Sequence, residues 1–278
     1  MPSYITKCEI IFIKKNNYKS QNPYPTYFKE GFYVIKLYTS DGLDGLGEPS
    51  PYAGNFKKII KNFKLIFSYI KNKNIFDISV TKLQKKLETK NIFTSSCFAG
   101  FSQCIYDIKG KIKKKSISKL INNNDVKNKI KIYASGGMIY DYQSDELLIK
   151  EALFFKKKNF FGWKFRPPFP RNFGNHNKRM LQPPEINTKK LINISQKLRK
   201  ILGTKFNLML DLGCRCKSLK EFEYLSDGLS ELNFFFIEEP FQRKLKLYKK
   251  IKLKNINISA GEHLFKNEDI LNWINIKT

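Results

Sequence analysis

The sequence predicts an α/β chain in two parts: an α+β domain over residues 1–125, then a series of βα units over residues 126–278. Three observations carry this. The first half places its strand-like segments ahead of its helical ones, the order of an α+β domain. The second half alternates short apolar runs with segments of helical period, the rhythm of a parallel sheet. Three of those runs end in acid: Phe206-Asn207-Leu208-Met209-Leu210-Asp211, Asn233-Phe234-Phe235-Phe236-Ile237-Glu238-Glu239-Pro240 and Ile256-Asn257-Ile258-Ser259-Ala260-Gly261-Glu262, so Asp211, Glu238 and Glu262 recur at steps of 27 and 24 residues.

In chain order, residues 4–15 are strand-like, with Ile5, Cys8, Ile10, Ile11 and Ile13 as apolar members. A polar loop over 16–26 carries Tyr18, Pro23, Tyr24 and Pro25. Gly31–Thr39 is a strand, Ser40-Asp41-Gly42 a turn, and Leu43–Gly47 the returning hairpin partner, before Glu48-Pro49-Ser50-Pro51 breaks the sheet. Phe56, Ile59, Ile60, Phe63, Ile66, Phe67 and Ile70 recur at three and four, with lysines opposite, as on a helix face. Helices follow over Thr81–Leu87 and Ser95–Ile108, the latter with Gly110 as the expected C-cap.

From residue 126 the pattern changes. Ile130–Ser135 is a strand stopped by Gly136-Gly137, and Leu147, Leu148, Ala152, Phe154 and Phe155 mark a helix. Phe160–Arg166 is a strand ended by Pro167-Pro168. The loop from there to Asn187 holds five prolines and His176, and its length suits a lid or binding loop. Leu191, Ile194, Leu198 and Ile201 form a helix closed by Gly203. After the Asp211 strand, Ser218 and Glu221 make a capping box, with Leu219, Phe222 and Leu225 facing inward. A lysine-rich helix over 244–254 follows Glu238, and another begins at Asp269 after Glu262. Five βα units fall short of the roughly 250 residues of a closed eight-unit barrel. The residues leave two architectures open: an open doubly wound sheet, or a barrel whose last strands are not in this chain.

In a parallel sheet the C-terminal strand ends share one face, so Asp211, Glu238 and Glu262 are expected to converge. Crowded carboxylates repel unless a cation sits among them, and an oxygen-only set suits Mg²⁺ or Mn²⁺. The formal charge of +28 raises nucleic-acid binding as an alternative. Lysine outnumbers arginine 46 to 6, however, and is spread over every segment, which reads as a solvated surface rather than a base-reading stripe. Five cysteines without zinc spacing, and an N-terminus without an apolar signal core, lead us to expect a cytoplasmic protein that neither crosses a membrane nor binds nucleic acid.

Several motifs occur together and in order. Ser40-Asp41-Gly42 is followed by Gly45-Leu46-Gly47-Glu48, then by Tyr106-Asp107-Ile108-Lys109-Gly110-Lys111, Lys164-Phe165-Arg166, Asp211, Glu238-Glu239-Pro240 and Gly261-Glu262. In these the chain resembles the enolase superfamily, in its mandelate racemase and muconate lactonising branch. The resemblance implies an incomplete TIM-type (β/α) barrel preceded by an α+β capping domain. It implies Mg²⁺ held by Asp211, Glu238 and Glu262, and removal of the proton α to a carboxylate through an enediolate. It implies catalytic roles for Lys164 and Arg166, and substrate-binding roles for Tyr24, Tyr27 and Tyr52 on the capping loops. His263, directly after Glu262, is a candidate catalytic acid, with a packed or metal-shell role as the alternative.

The chain departs from the family pattern in three ways. Arg166 stands where the family has a second lysine, and arginine is a poor base but a good clamp for carboxylate or enediolate. Leu212-Gly213 replaces Ala-Asn after the first metal ligand. The chain ends near the sixth strand, so the family's other base is expected beyond it and this polypeptide is expected to be inactive alone. The expected activity is that of an acid-sugar dehydratase (a hydro-lyase) acting on a small carboxylate, as a homo-oligomer when full length. A racemase, epimerase or cycloisomerase of the same branch is the first alternative, and a non-catalytic, basic nucleic-acid-binding protein the second.

Overall fold

The computed structural model describes residues 2–14, 31–49, 56–88, 91–122, 129–137, 145–167, 185–242, 244–252, 255–262 and 264–275. They fall into two compact units, one built from residues up to 122 with 264–270, the other from 129–262 with 271–275.

The first unit is a three-stranded antiparallel sheet in the order β1 (Ile5–Lys14), β2 (Gly31–Thr39), β3 (Asp44–Gly47). Helices α1 (Phe56–Ile70), α2 (Val80–Glu88), α3 (Ile92–Lys113) and α4 (Ile117–Ile121) follow in sequence. Ile5, Ile35 and Leu37 from the sheet share one core with Ile66 and Ile70 of α1, Leu87 of α2 and Phe98, Phe101, Ile105 and Ile108 of α3. Asn91 caps α3 by accepting the Thr94 N–H at 3.0 Å. The helix runs past the expected C-cap and stops at Lys114, which takes the left-handed turn at φ 50°. Gly110 is buried inside the helix, where its carbonyl accepts the Lys115 N–H.

The Tyr106–Lys111 motif has a structural reason here. Asp107 accepts the Leu46 N–H and pairs with Lys111 one turn on, while Lys111 donates to the Asp44 carbonyl, so two side chains of α3 hold the β3 hairpin. Lys109 donates to the Ile78 carbonyl, anchoring the entry to α2. Gly45 and Gly47 let β3 lie directly on the α3 backbone: a Cβ at Gly47 would overlap the Gly100 carbonyl oxygen, and one at Gly45 the Cys104 carbonyl oxygen. Both obstacles are backbone and cannot rotate away. Gly47→Ala is therefore expected to destabilise this unit by roughly 2 kcal/mol, the range of overpacked cores, measured as a lower urea midpoint at unchanged slope.

The second unit carries a parallel sheet in the order β4 (Ala134–Gly136), β5 (Gly162–Phe165), β6 (Asn207–Asp211), β7 (Phe234–Glu238), β8 (Ile258–Ser259). Helices α5 (Asp145–Lys157), α6 (Thr188–Leu202), α7 (Leu219–Leu229) and α8 (Leu245–Tyr248) alternate with the strands, and α9 (Asn267–Ile274), next in the chain after β8, has residues 267–270 in the first unit and 271–274 in the second. The strands pair in strict sequence order, with no reversal of the kind that creates the switch point of a doubly wound sheet. Sequential order with one crossover hand places the helices on one side, as in the wall of a barrel. Trp163, Phe165, Leu208, Leu210, Phe234 and Ile237 accordingly pack against Leu148 and Ala152 of α5, Leu191, Ile194 and Leu198 of α6, and Phe222 and Leu225 of α7. No helix among the described residues is long and apolar enough to cross a membrane.

Some boundaries differ from those expected. Of the 130–135 run only Ala134 and Ser135 are strand, and the strand continues into Gly136, the residue expected to stop it. Phe161 still donates to the Ile132 carbonyl, but Ile130 and Ile132 are 76% and 59% exposed at an edge that pairs only with β5 among the described residues. The lysine-rich helix expected over 244–254 is a single turn, Leu245–Tyr248. Like charges one turn apart, such as Lys246 and Lys250, disfavour its extension. Ser218 caps α7 by accepting the Glu221 N–H, but Glu221 reaches back to the Lys217 N–H instead of that of Ser218.

Candidate active site

Side-chain alternation sorts the parallel sheet into two faces. Trp163 and Phe165 face the helices, so Lys164 points the other way and Arg166, two residues on, follows it. Leu208 and Leu210 face the helices, so Met209 and Asp211 do not. Strand β7 would fall out of step, because Leu208 pairs with Phe234. The register then shifts by one residue, so Met209 pairs with Phe236 and Asp211 with Glu238. The bulge at Phe235 thus keeps Glu238 on the face of its neighbour Asp211.

The result is a row of charge at the C-terminal strand ends. Lys164 Nζ lies 2.5 Å from Glu238 Oε2 and 3.7 Å from Asp211 Oδ2. Arg166 Nε lies 2.5 Å from Asp211 Oδ2, and its Nη2 is 4.0 Å from Glu262 Oε2. Asp211 is 1% exposed and also accepts the Gly213 N–H at 3.0 Å. Burial would lower the Lys164 pKa, but its hydrogen bond to Glu238 and the charges of Glu238 and Asp211 prevail and hold it above the ordinary lysine value. Burial, reinforced by the charge of Asp211, raises the Glu238 carboxyl above the ordinary carboxylate value despite its bond to Lys164.

These distances bring together five of the residues the sequence singled out: Lys164, Arg166, Asp211, Glu238 and Glu262. His263, Tyr24, Tyr27 and Tyr52 lie outside the described residues, as does His176. Among the described residues, no three His, Cys, Asp or Glu side chains stand close enough to ligate one ion. Two cations instead hold the carboxylates together. The donor set is nonetheless the right kind for a hard divalent ion: oxygen-only, on adjacent strand ends, with Asp211 deeply buried. A cation entering it has to take the place of Lys164 and Arg166 on those oxygens.

Two residues near the row were not singled out as functional. Arg215, 5% exposed, donates to the Pro167 carbonyl at 2.5 Å and to that of Glu185 at 3.4 Å, steadying the chain just after Arg166. Glu239, fully buried, accepts the N–H groups of Gly261 and Glu262. Neither signal is in the sequence, where Arg215 sits between two cysteines and Glu239 duplicates its neighbour. Cys216 is buried, and that burial pushes its thiol up to about 12, so it stays protonated at neutral pH.

An α+β unit followed by sequential parallel strands that bear a carboxylate row defines a (β/α)-barrel-type protein with a polar site at its strand ends. Residues 11–122 match the family profile "Mandelate racemase / muconate lactonizing enzyme, N-terminal domain". None of the curated proteins matches the chain. Among solved structures, a mandelate racemase/muconate lactonizing protein from Paracoccus denitrificans PD1222, complexed with magnesium, is 17% identical over 98% of this chain and 68% of its own, with a TM-score of 0.75. The 3,6-anhydro-D-galactonate cycloisomerase of Zobellia galactanivorans is 21% identical over 93% of this chain and 65% of its own, at 0.70. An enolase from Agrobacterium radiobacter, a candidate galactarate dehydratase with bound sodium and L-malate, is 17% identical over 98% and 65%, at 0.77. The chain thus spans about two thirds of the length of these relatives. Its first unit matches that N-terminal domain profile, and the chain as a whole shares its fold with these structures.

Proposed function

We propose that this chain carries the carboxylate-binding and metal-binding machinery of an enzyme that removes the proton α to a carboxylate, with dehydration of a small sugar acid as the preferred outcome. The observation that carries the reading is the convergence of Asp211, Glu238 and Glu262 with Lys164 and Arg166 at one set of strand ends. Asp211, Glu238 and Glu262 would hold Mg²⁺, which when bound acts as a Lewis acid toward the substrate carboxylate. Magnesium in the Paracoccus relative, and sodium with a dicarboxylate in the Agrobacterium one, support both partners.

The protein's own cations have a defined part. Arg166 is always protonated and is a poor base. Released from the carboxylates, Lys164 and Arg166 would face the substrate and neutralise the negative charge that grows on its carboxylate as the proton leaves. With one base and a fixed cation at 166, elimination of a β-hydroxyl is favoured over racemisation, which needs a base on each face. The Zobellia cycloisomerase keeps isomerisation as the second reading.

Mn²⁺ titration of the 278-residue chain by electron paramagnetic resonance tests the metal reading, and no saturable binding would remove it. The reaction is tested on the longest form of the protein its gene encodes, with Mg²⁺ and a panel of aldonates and aldarates in D₂O. Loss of water to a 2-keto-3-deoxy acid is expected. Exchange or epimerisation without water loss would transfer the assignment to the isomerase reading.

A further inference from the structure

Glu239 is the member of the Glu238-Glu239-Pro240 run to which the function above gives no part. It is 0% exposed, and a carboxylate survives in such a place only with its lone pairs filled. Its Oε1 accepts two consecutive backbone donors, Gly261 N–H at 2.8 Å and Glu262 N–H at 3.0 Å. Its Oε2 lies 3.3 Å from the Tyr248 hydroxyl and 3.5 Å from Cys214 Sγ. The main chain of Glu239 joins the same parts: its carbonyl accepts the Cys214 N–H at 2.6 Å and its N–H donates to the Ser259 carbonyl at 2.9 Å. Alternation along β7 puts Glu238 on the charged face and Glu239 on the other, where it is buried beside Tyr248, and the left-handed backbone of Glu239 at φ 45° follows the strand's last residue. One residue therefore touches the turn after β6, which begins at Asp211, and the turn after β8, which carries Glu262.

We propose that Glu239 is a positioning residue that fixes the spacing of Asp211, Glu238 and Glu262 by binding the turns after β6 and β8 to the end of β7. The consequence for metal affinity rests on the metal reading above; the consequence for the backbone does not. Glu262 is the most exposed of the three carboxylates, and the two N–H groups held by Glu239 are what locate it.

The test compares Glu239→Gln, Glu239→Ala and Glu239→Asp, with Tyr248→Phe as a control that disturbs the same buried spot without removing the Oε1 acceptor. Glutamine keeps an oxygen for both N–H groups, alanine keeps none, and aspartate withdraws it by one methylene. Two quantities are read: hydrogen exchange at the Gly261 and Glu262 amides, and Mn²⁺ affinity. Glu239→Ala is expected to speed both amides and to weaken Mn²⁺ by about tenfold or more, as outer partners of metal ligands do. Glu239→Gln is expected to restore both, and Tyr248→Phe to lower thermal stability while leaving both near wild type. Should the alanine variant fail to fold, the aspartate variant reads the same quantities and is expected to fall between wild type and that loss. Unchanged protection of the two amides in the alanine or aspartate variant, or equal losses in alanine and glutamine variants, would overturn the proposal. Wild-type protein that binds no Mn²⁺ would remove the metal reading, and the amide exchange would still decide the role of Glu239.

Discussion

Asp211→Asn is expected to weaken Mn²⁺ binding by on the order of 10²-fold or more, the largest effect of any single substitution in the row. The side chain is 1% exposed, so solvent screens it least among the three carboxylates. At 4 Å and an effective dielectric of 20, a unit charge and a divalent ion interact by about 8 kcal/mol. Only part of that survives competition with hydration, and roughly 2.7 kcal/mol already corresponds to 10²-fold. Asparagine keeps the shape and can still accept the Gly213 N–H, so the fold should persist. Glu262→Gln is the comparison: its side chain is 37% exposed and belongs to a more solvated edge, so its loss should be smaller. Equal effects at the two positions would mean that burial of Asp211 is unrelated to ion binding.

The sequence carried the outline of this site because its signal is periodic. Apolar runs that end in acid at βα spacing require no tertiary knowledge, and Asp211 and Glu238 stand side by side on adjacent strand ends as that spacing implies; Lys164 comes from the resemblance instead. What stayed hidden depends on contacts between distant residues. The bulge that brings Glu238 beside Asp211 falls within Phe234-Phe235-Phe236, where three identical side chains conceal which one is skipped. The partners of Glu239 are backbone N–H groups more than twenty residues away, which leave no mark in composition. Element boundaries were lost where tertiary context overrode local preference. Gly110 reads as a helix end but is needed inside α3, and the 244–254 stretch has helical period but too many like charges to extend. The choice between a doubly wound sheet and a barrel wall also waited for strand order, which spacing along the chain does not encode.

The opposite end of the same sheet carries the second large effect. Arg199 stands in the last turn of α6, 7% exposed, and its guanidinium meets four carbonyls. Nε donates to Leu232 at 2.6 Å, Nη1 to Gly203 at 2.6 Å and Phe206 at 2.8 Å, and Nη2 to Asn233 at 2.9 Å. Gly203 and Phe206 lead into β6, while Leu232 and Asn233 lead into β7, so one side chain ties down the entries to both ligand-bearing strands. Burial lowers its pKa, yet an arginine here remains charged, and the carbonyl dipoles are its compensation. Arg199→Met fills much of the volume but leaves those carbonyls without their donor. At about 1–3 kcal/mol for each buried group left unsatisfied, with water recovering some of them, a net loss of about 3–5 kcal/mol is expected. At about 2–4 °C per kcal/mol for a domain of this size, the melting temperature should fall by roughly 6–20 °C. Arg199→Lys keeps the charge, but its single nitrogen cannot span four acceptors, so it should recover less than half of the loss. The strands are parallel and the carboxylates lie at their far ends, so a folded Arg199→Lys protein should bind Mn²⁺ as wild type does. If instead it loses the ion while keeping its melting temperature, Arg199 governs the site and not the fold.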